Sequence, residues 1–267
     1  MSRPDPLLPE ILAPLIRGTR FSTNIQHYDT ITSTNTVAME AAAAGAPEGS
    51  MFVAEEQTAG RGRGANQWHS AGSVGIYCSA VLRPPMPPSD ILVLSLAAGL
   101  AVRAAVQEVV PAVKPDLKWP NDLLINGKKF CGILTEMNAE ATRVRYLVVG
   151  VGMNVNQTSF PDELRDIATS LRLITGKLWS RVELCAGLLK SLEREYEMLL
   201  TDPKARESIL QRFAQQSSWV RGRKVYIEEN RGLEGVTEGL DDRGFLCLRT
   251  PAGVQRVLSG TVRESKS

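Results

Sequence analysis

The sequence predicts an α+β fold, in which a mixed, largely antiparallel sheet packs against helices and a small all-β unit follows. Three observations predict it. Two apolar, strand-length runs flank Asn126-Gly127, a strong hairpin signal because both residues tolerate the positive φ of a type I′ turn. Helical apolar stripes lie between and after the strands. From Trp219 onward the texture changes to short β-prone runs separated by Gly and Asp turns.

In chain order, residues 1–20 form a proline-interrupted lead with a short helix predicted around Pro9 to Arg17. IQHYDTI is β-prone and runs into Ser33, Thr34 and Asn35, all good N-cap types, ahead of a helix-prone run that stops at Gly45 and Pro47. A strand at SMFVAEEQ leads into the glycine-rich loop Gly60-Arg61-Gly62-Arg63-Gly64. SVGIYCSAVL reads as the next strand, bounded by a loop from Pro84 to Pro88. Ser89 and Asp90 precede a long apolar helix over 91–110. After the Asn126-Gly127 hairpin, a second hairpin passes through NAEAT into RVRYLVVGVGMNVN. These strands pair locally, so the sheet is antiparallel or mixed and not doubly wound. Helices at about 180–200 and 203–216 follow, and Leu184, Leu188, Leu192, Tyr196 and Leu199 line one core-facing stripe.

Composition excludes several classes. With 31 basic and 29 acidic residues the net charge is +2, and aromatics make up 6%, a poor basis for an extended nucleic-acid stacking surface. The longest apolar run, Ile91 to Val110, is interrupted by Ser95, Arg103, Gln107 and Glu108, the composition of a core helix. The start lacks the basic and apolar regions of a signal peptide. The four cysteines are far apart in apolar segments and read as buried free thiols in a reducing cytosol; with two histidines, a His-based metal site has little raw material.

Two segments carry chemistry. Glycines in the 60–64 loop let backbone N–H groups approach an anion, and Arg61 and Arg63 supply forks for carboxylate or phosphate; a mobile basic turn reads equally well from the loop alone. The loop is neither a P-loop nor a dinucleotide fingerprint. Trp68 is either core or the wall of a ring-binding site. Lys118, between Leu117 and Trp119, alternates out of a strand's core face, and Pro120 then turns the chain so that Asn121 and Asp122 stand at a loop mouth. A solvated strand-end lysine is the plain alternative. His69 reads as a surface or packing residue.

Taken in order, Ser33-Thr34-Asn35, Gln57, the Gly/Arg loop, Lys118-Trp119-Pro120-Asn121-Asp122, the block Gly127 to Glu136 and Gly150-Val151-Gly152-Met153-Asn154-Val155-Asn156 resemble the biotin–protein ligase family over about residues 25–265. The resemblance implies a class II synthetase-like catalytic domain over 1–217, lead included, and an SH3-like β-barrel over 218–267. It implies a biotin–[acetyl-CoA-carboxylase] ligase that uses ATP and Mg²⁺ to form biotinoyl-AMP and passes biotin to a lysine of a biotin carboxyl carrier protein. Ser33, Thr34, Asn35 and Gln57 would bond the ureido ring, helped by the backbone at Gly60 and Arg61. Gly62, Arg63, Trp68, Lys118 and Gly132 complete the biotin set. Arg61, Arg63, Trp68, Lys118, Asn121 and Asn154 would hold the adenylate, with Lys118 and Arg63 catalytic and no protein-held metal. No Ser/His/Asp or Cys/His set is present, so no acyl-enzyme is expected. Family members commonly carry further basic residues where this chain has Gly64, Ala65, Asn66 and Gln67. About 20 residues precede the core, too few for a helix-turn-helix domain, so no DNA or membrane partner is expected; a cytoplasmic enzyme is, with a homodimer left open. A lipoate–protein ligase is the nearest alternative, and a nucleic-acid-binding module a more distant one.

Overall fold

The computed structural model describes residues 5–228 and 232–265. The first four residues of the lead, Glu229 at the end of the strand predicted from Arg223, and the last two residues lie outside that range. The elements in order are α1 (Pro9–Leu15), β1 (Ile25–Ile31), α2 (Thr34–Ala43), β2 (Met51–Gln57), β3 (Gly75–Leu82), α3 (Ile91–Val109), β4 (Asp116–Lys118), β5 (Asp122–Ile125), β6 (Lys128–Ala139) and β7 (Val144–Asn154). Then come α4 (Leu171–Thr175), α5 (Arg181–Thr201), α6 (Ala205–Gln215), β8 (Arg221–Ile227), β9 (Leu233–Leu240), β10 (Leu246–Thr250), β11 (Gly253–Val257) and β12 (Val262–Glu264).

Seven strands form one sheet in the order β1-β2-β3-β7-β6-β5-β4, parallel between β1 and β2 and antiparallel elsewhere. Asn126 and Gly127 both take positive φ, 50° and 78°, and join β5 to β6 as a two-residue loop, the predicted turn. Alternation along the strands sorts residues between two faces. Phe52, Val81 and Val148 pack under Ala38 and Ala42 of α2, whereas Met51, Val53, Leu82, Leu147 and Val149 face a second core built with α3 and α5. Helix α3 has the length and apolar composition of a membrane span, yet 13 of its residues are buried inside the protein, as the core-helix reading expects. Of the α5 stripe, Leu184, Leu188, Leu192 and Tyr196 are buried and Leu199 is partly so.

The lead is no loose tail in its described part. Leu7, Leu12, Ile16 and Phe21 are fully buried, and the Leu7 N–H donates to Glu55 at 3.0 Å. Three cysteines are buried free thiols, but Cys247 is only partly covered, because alternate residues of the short strand β10 face solvent. The segment between β7 and α5 had no sequence-level reading; it contains α4, capped by the Ser170 hydroxyl, which accepts from the Leu173 N–H. The C-terminal strands form an antiparallel sheet, order β11-β10-β9-β8-β12. It buries Val225, Ile227, Leu246, Leu248, Val257 and Val262. This sheet leans on the main one, where Trp119 Nε1 donates to the Gly244 carbonyl at 2.9 Å.

Candidate active site

A cavity of about 530 Å³ opens on the α2 side of the main sheet, between it, the 60–68 loop and the start of β12. The sheet makes the room. On β7, residues 148, 150, 152 and 154 share the α2 face, and two of these are glycines. Gly150 and Gly152 stand opposite Leu134 and Gly132 of β6. A Cβ on Gly150 would lie 1.9 Å from Asn35 Oδ1, and one on Gly152 would lie 2.5 Å from Trp68 Nε1. Glycine is required at both positions because another side chain, Asn35 or Trp68, occupies the space.

Of the thirteen residues singled out from the sequence, Ser33, Thr34, Asn35, Gln57, Arg61, Gly62, Arg63, Trp68, Lys118, Asn121, Gly132 and Asn154 line the cavity. Gly60 lies just behind it. Its carbonyl accepts from the Trp68 N–H at 2.8 Å, and a Cβ there would meet the Trp68 carbonyl at 2.4 Å, so its glycine serves the loop's close packing.

At the α2 end the polar side chains form a closed network. Ser33 takes the N-cap position of α2 but makes no side-chain cap bond. Instead the Thr34 N–H and hydroxyl donate to Gln57 Oε1 at 2.8 and 3.1 Å, and Gln57 Nε2 donates to Ser70 Oγ at 2.8 Å. Asn35 is held at both ends. Its Oδ1 accepts from Ser79 at 2.7 Å, and its Nδ2 donates to Glu136 at 2.9 Å and to the Leu134 carbonyl at 3.3 Å. Capping propensity was therefore the wrong reading of Thr34 and Asn35: both lie inside the first turn and face the sheet.

The Gly/Arg loop is a tight turn. Gly64 takes positive φ, the Gly62 N–H donates to the Asn66 carbonyl at 2.8 Å, and Asn66 Nδ2 donates to the Arg63 carbonyl at 3.0 Å. Gly64 and Asn66 thus build the turn. Arg61 forms a bidentate pair with Glu136 at 3.0 and 2.7 Å. Arg63 Nη1 makes two long contacts, to Asn121 Oδ1 at 3.4 Å and to the Gly260 carbonyl at 3.3 Å. Trp68 is half-buried over Gly132 and Gly152, with the Lys129 ammonium 5.3 Å from its ring centre, so it is a wall of the cavity. Its buried Nε1 has no hydrogen-bond partner among the described residues. His69, beside it, is exposed.

Lys118 ends the edge strand β4. Burial lowers its pKa below the usual lysine value; Asp122 works against that, while Lys129, Arg263 and Arg223 add to it. Asp122 pairs with Lys129 at 2.6 Å. Asn154 turns its amide to its own neighbourhood, donating to the Thr169 carbonyl at 3.1 Å and accepting from Gln157 at 3.1 Å.

Such a cavity, with anion-binding groups at one end and a small polar network at the other, suits an elongated ligand bearing a compact polar head and an acidic tail. The profile of the Biotin/lipoate A/B protein ligase family matches residues 28–154, and that of the biotin protein ligase C-terminal domain matches residues 222–262. The bifunctional ligase/repressor BirA of Bacillus spizizenii is 41% identical over 241 residues, 88% of this chain and 72% of its own length. The biotin–[acetyl-CoA-carboxylase] ligase of Mycobacterium tuberculosis is 35% identical across 86% of this chain and 85% of its own. The chain belongs to the biotin protein ligase family. The biotin protein ligase of Aquifex aeolicus, solved with biotin and ATP, superimposes with a TM-score of 0.79 at 31% identity, covering 91% of this chain and all of that one. As a member the chain is a ligase, and these relatives favour biotin over lipoate.

The sequence reading left out several cavity residues of this biotin protein ligase. Gly150 and Gly152 were legible from their alternation on one strand. Lys129 and Asp122 lay inside quoted motifs. Glu136, which ties Asn35 to Arg61 without lining the cavity, lay in the same block as Lys129 and was marked by nothing else. Gly260, Thr261, Val262 and Arg263 come from the C-terminal sheet; nothing local marks them, because their place depends on how the two sheets pack.

Proposed function

We propose that this cavity binds biotin with its ureido ring at the Thr34/Gln57 network and its carboxylate beneath Arg61, Arg63 and Lys118. There the carboxylate attacks the α-phosphate of ATP and pyrophosphate leaves. A lysine amine of a biotin carboxyl carrier protein then attacks the mixed anhydride, forming the amide and releasing AMP. The single observation that carries this reading is the meeting, in one cavity, of Lys118 from β4, Arg63 from the loop and the Thr34/Gln57 network from α2 and β2.

The first step brings two anions together, which costs about 4 kcal/mol at 4 Å and an effective dielectric near 20. Lys118 and Arg63 are the counter-charges at hand. Asn35, saturated by Ser79, Leu134 and Glu136, acts as a brace that fixes the start of α2. Arg61 leaves Glu136, or shares it, when an acid occupies the cavity. Trp68 offers its ring face to the adenine, with Asn154 behind it, and Asn121 holds Arg63 to the loop mouth.

Mg²⁺ would be held on the phosphates of the nucleotide, where it would supply charge beside Lys118 and Arg63. Among the described residues no group of three or more His, Cys, Asp or Glu could hold a metal, and Asp122 and Glu228 are the carboxylates lining the cavity. That donor set fits an ion carried on phosphates with at most one or two protein ligands.

We assign the first 217 residues to the chemistry and 218–267 to a cover that closes the nucleotide end through the 260–263 segment. The enzyme's place is the cytosol, where its acceptor carboxylase is made. The test is calorimetric titration with biotin, in the presence and absence of ATP·Mg²⁺, and with lipoate as control. Tight biotin binding without a lipoate response supports the reading. Lipoate binding in its place moves the substrate to the sister branch, and silence for both removes the cavity from the chemistry.

A further inference from the structure

Lys118 is held in an unusual way. Among the described residues its ammonium makes no hydrogen bond and no ion pair; its partner is the indole of Trp219, with Nζ 4.4 Å from the ring centre. Trp219 is only 7% exposed, and the same ring takes the guanidinium of Arg223 at 4.3 Å. A cation on an aromatic face is stabilised by the ring quadrupole and spends none of its N–H donors. All three donors of Lys118 therefore stay available to ligand oxygens, while the charge itself is held in place.

The backbone beneath this contact is fastened by the same short segment. β4 is a three-residue edge strand paired on one side only, with β5. Its free side is occupied by the connector leading to the C-terminal sheet. The Leu117 N–H donates to the Gln216 carbonyl at 3.2 Å, and the Ser217 hydroxyl donates to the Leu117 carbonyl at 2.5 Å. The Asp116 carboxylate accepts from the Ser218 N–H and hydroxyl at 2.8 and 2.6 Å. Arg223, the first basic residue of β8 to reach the ring, also donates to Ser218 Oγ at 3.3 Å and pairs with Glu264 of β12 at 3.6 Å.

We infer that Trp219 is a positioning residue for Lys118: the 216–219 connector latches onto β4, and its indole holds the ammonium at the cavity mouth, coupling the seating of the C-terminal sheet to the first chemical step. This rests on the role proposed above for Lys118. Trp219 itself does not line the cavity, so its effect runs through the lysine. A cation–π contact of this kind corresponds to a rate change of about tenfold when the ring is replaced.

The test is biotin-dependent ATP–pyrophosphate exchange, which reads the first step, in Trp219→Phe, Trp219→Leu and Lys118→Gln and in the Trp219→Leu/Lys118→Gln pair. Leucine keeps an apolar filler without a π face, so it separates the ring from simple packing. Trp219→Leu is expected to slow exchange about tenfold at saturating substrates, with the KM for biotin little changed, and Trp219→Phe to restore most of the rate. In the Lys118→Gln background Trp219→Leu is expected to add less than about a twofold loss, the signature of one residue acting through another. A Trp219→Leu rate equal to wild type overturns the inference, as does the same fold-loss in both backgrounds, which would mark a structural role. If Lys118→Gln alone leaves exchange unchanged, the reading beneath the inference fails and the inference goes with it, a result distinct from either of the others.

Discussion

The two faces of the main sheet hold their charges in opposite ways. On the face turned to α5, Arg181 and Glu55 are both fully buried and paired at 2.8 Å. Arg181 also donates to the carbonyls of Gly75 at 3.1 Å and Asp5 at 2.8 Å. Glu55 accepts in addition from the Leu7 N–H and from His27. On the face turned to α2, Arg63 makes long contacts to Asn121 and Gly260, and Lys118 rests on a ring. The first set is saturated and therefore structural. In the second, Lys118 is held on a ring with its N–H donors unspent among the described residues, which is the state a site for anions needs before its ligands arrive.

Breaking the saturated set should give the largest effect, and on stability alone. Glu55→Gln leaves a buried guanidinium without its counter-charge and is expected to cost about 3–5 kcal/mol, read by denaturant unfolding. Adenylation by the molecules still folded should be unaffected. Burial raises the Glu55 carboxyl, but the Leu7 N–H, Arg181 and His27 outweigh it and hold its pKa below 4.5. A depressed folded value means stability that is fully present above the unfolded pKa and is lost as pH falls through the folded one. Wild type should lose this contribution below about pH 4.5 and Glu55→Gln should not. A variant with lost activity and intact stability would erase the contrast between the two faces.

Lys118→Ala should do the reverse, lowering adenylate formation by about 10²–10³ with little change in melting temperature. The depressed pKa of Lys118 has a further consequence. As pH rises through that value the ammonium is lost, so the alkaline limb of adenylation should fall below the ordinary 10.5 and move upward in Lys118→Arg. An unshifted limb in the arginine variant would assign it to another group. Arg63→Gly should leave adenylation measurable but let biotinoyl-AMP escape about 10-fold to 100-fold faster, the worth of a charge-assisted hydrogen bond to phosphate. Undiminished retention on gel filtration would remove Arg63 from that role. The smallest effect is expected from Gly152→Ala. Its methyl would sit 2.5 Å from Trp68 Nε1, lifting the ring and weakening nucleotide binding by about tenfold, as read by titration with ATP.

Local signals explain what the sequence made legible. Asn126-Gly127 specifies its own turn, the α5 stripe its buried face, and Gly60 to Gly64 a loop that backbone and anion can share. Lys118 was legible as a residue that a strand must turn away from its core. What stayed hidden depends on contacts far apart in the chain. Arg181 meets Glu55 across 126 positions, Arg63 meets Gly260 across 197, and Trp219 comes under Lys118 only because the connector packs beside β4. Asn35 shows the same limit at short range. Its residue type suggested a cap and the resemblance a ligand contact, while in the fold its side chain is taken up by Ser79, Leu134 and Glu136 in space left by a glycine on a strand 115 residues away.

The most direct test of the site is to mix the enzyme with biotin and ATP·Mg²⁺ labelled at the α-phosphate, pass it through gel filtration and count label in the protein peak. Near one equivalent of biotinoyl-AMP should travel with the wild-type enzyme, and next to none with Lys118→Ala. A wild-type peak without label, or a Lys118→Ala peak that carries as much, would contradict the assignment of this cavity to adenylate formation.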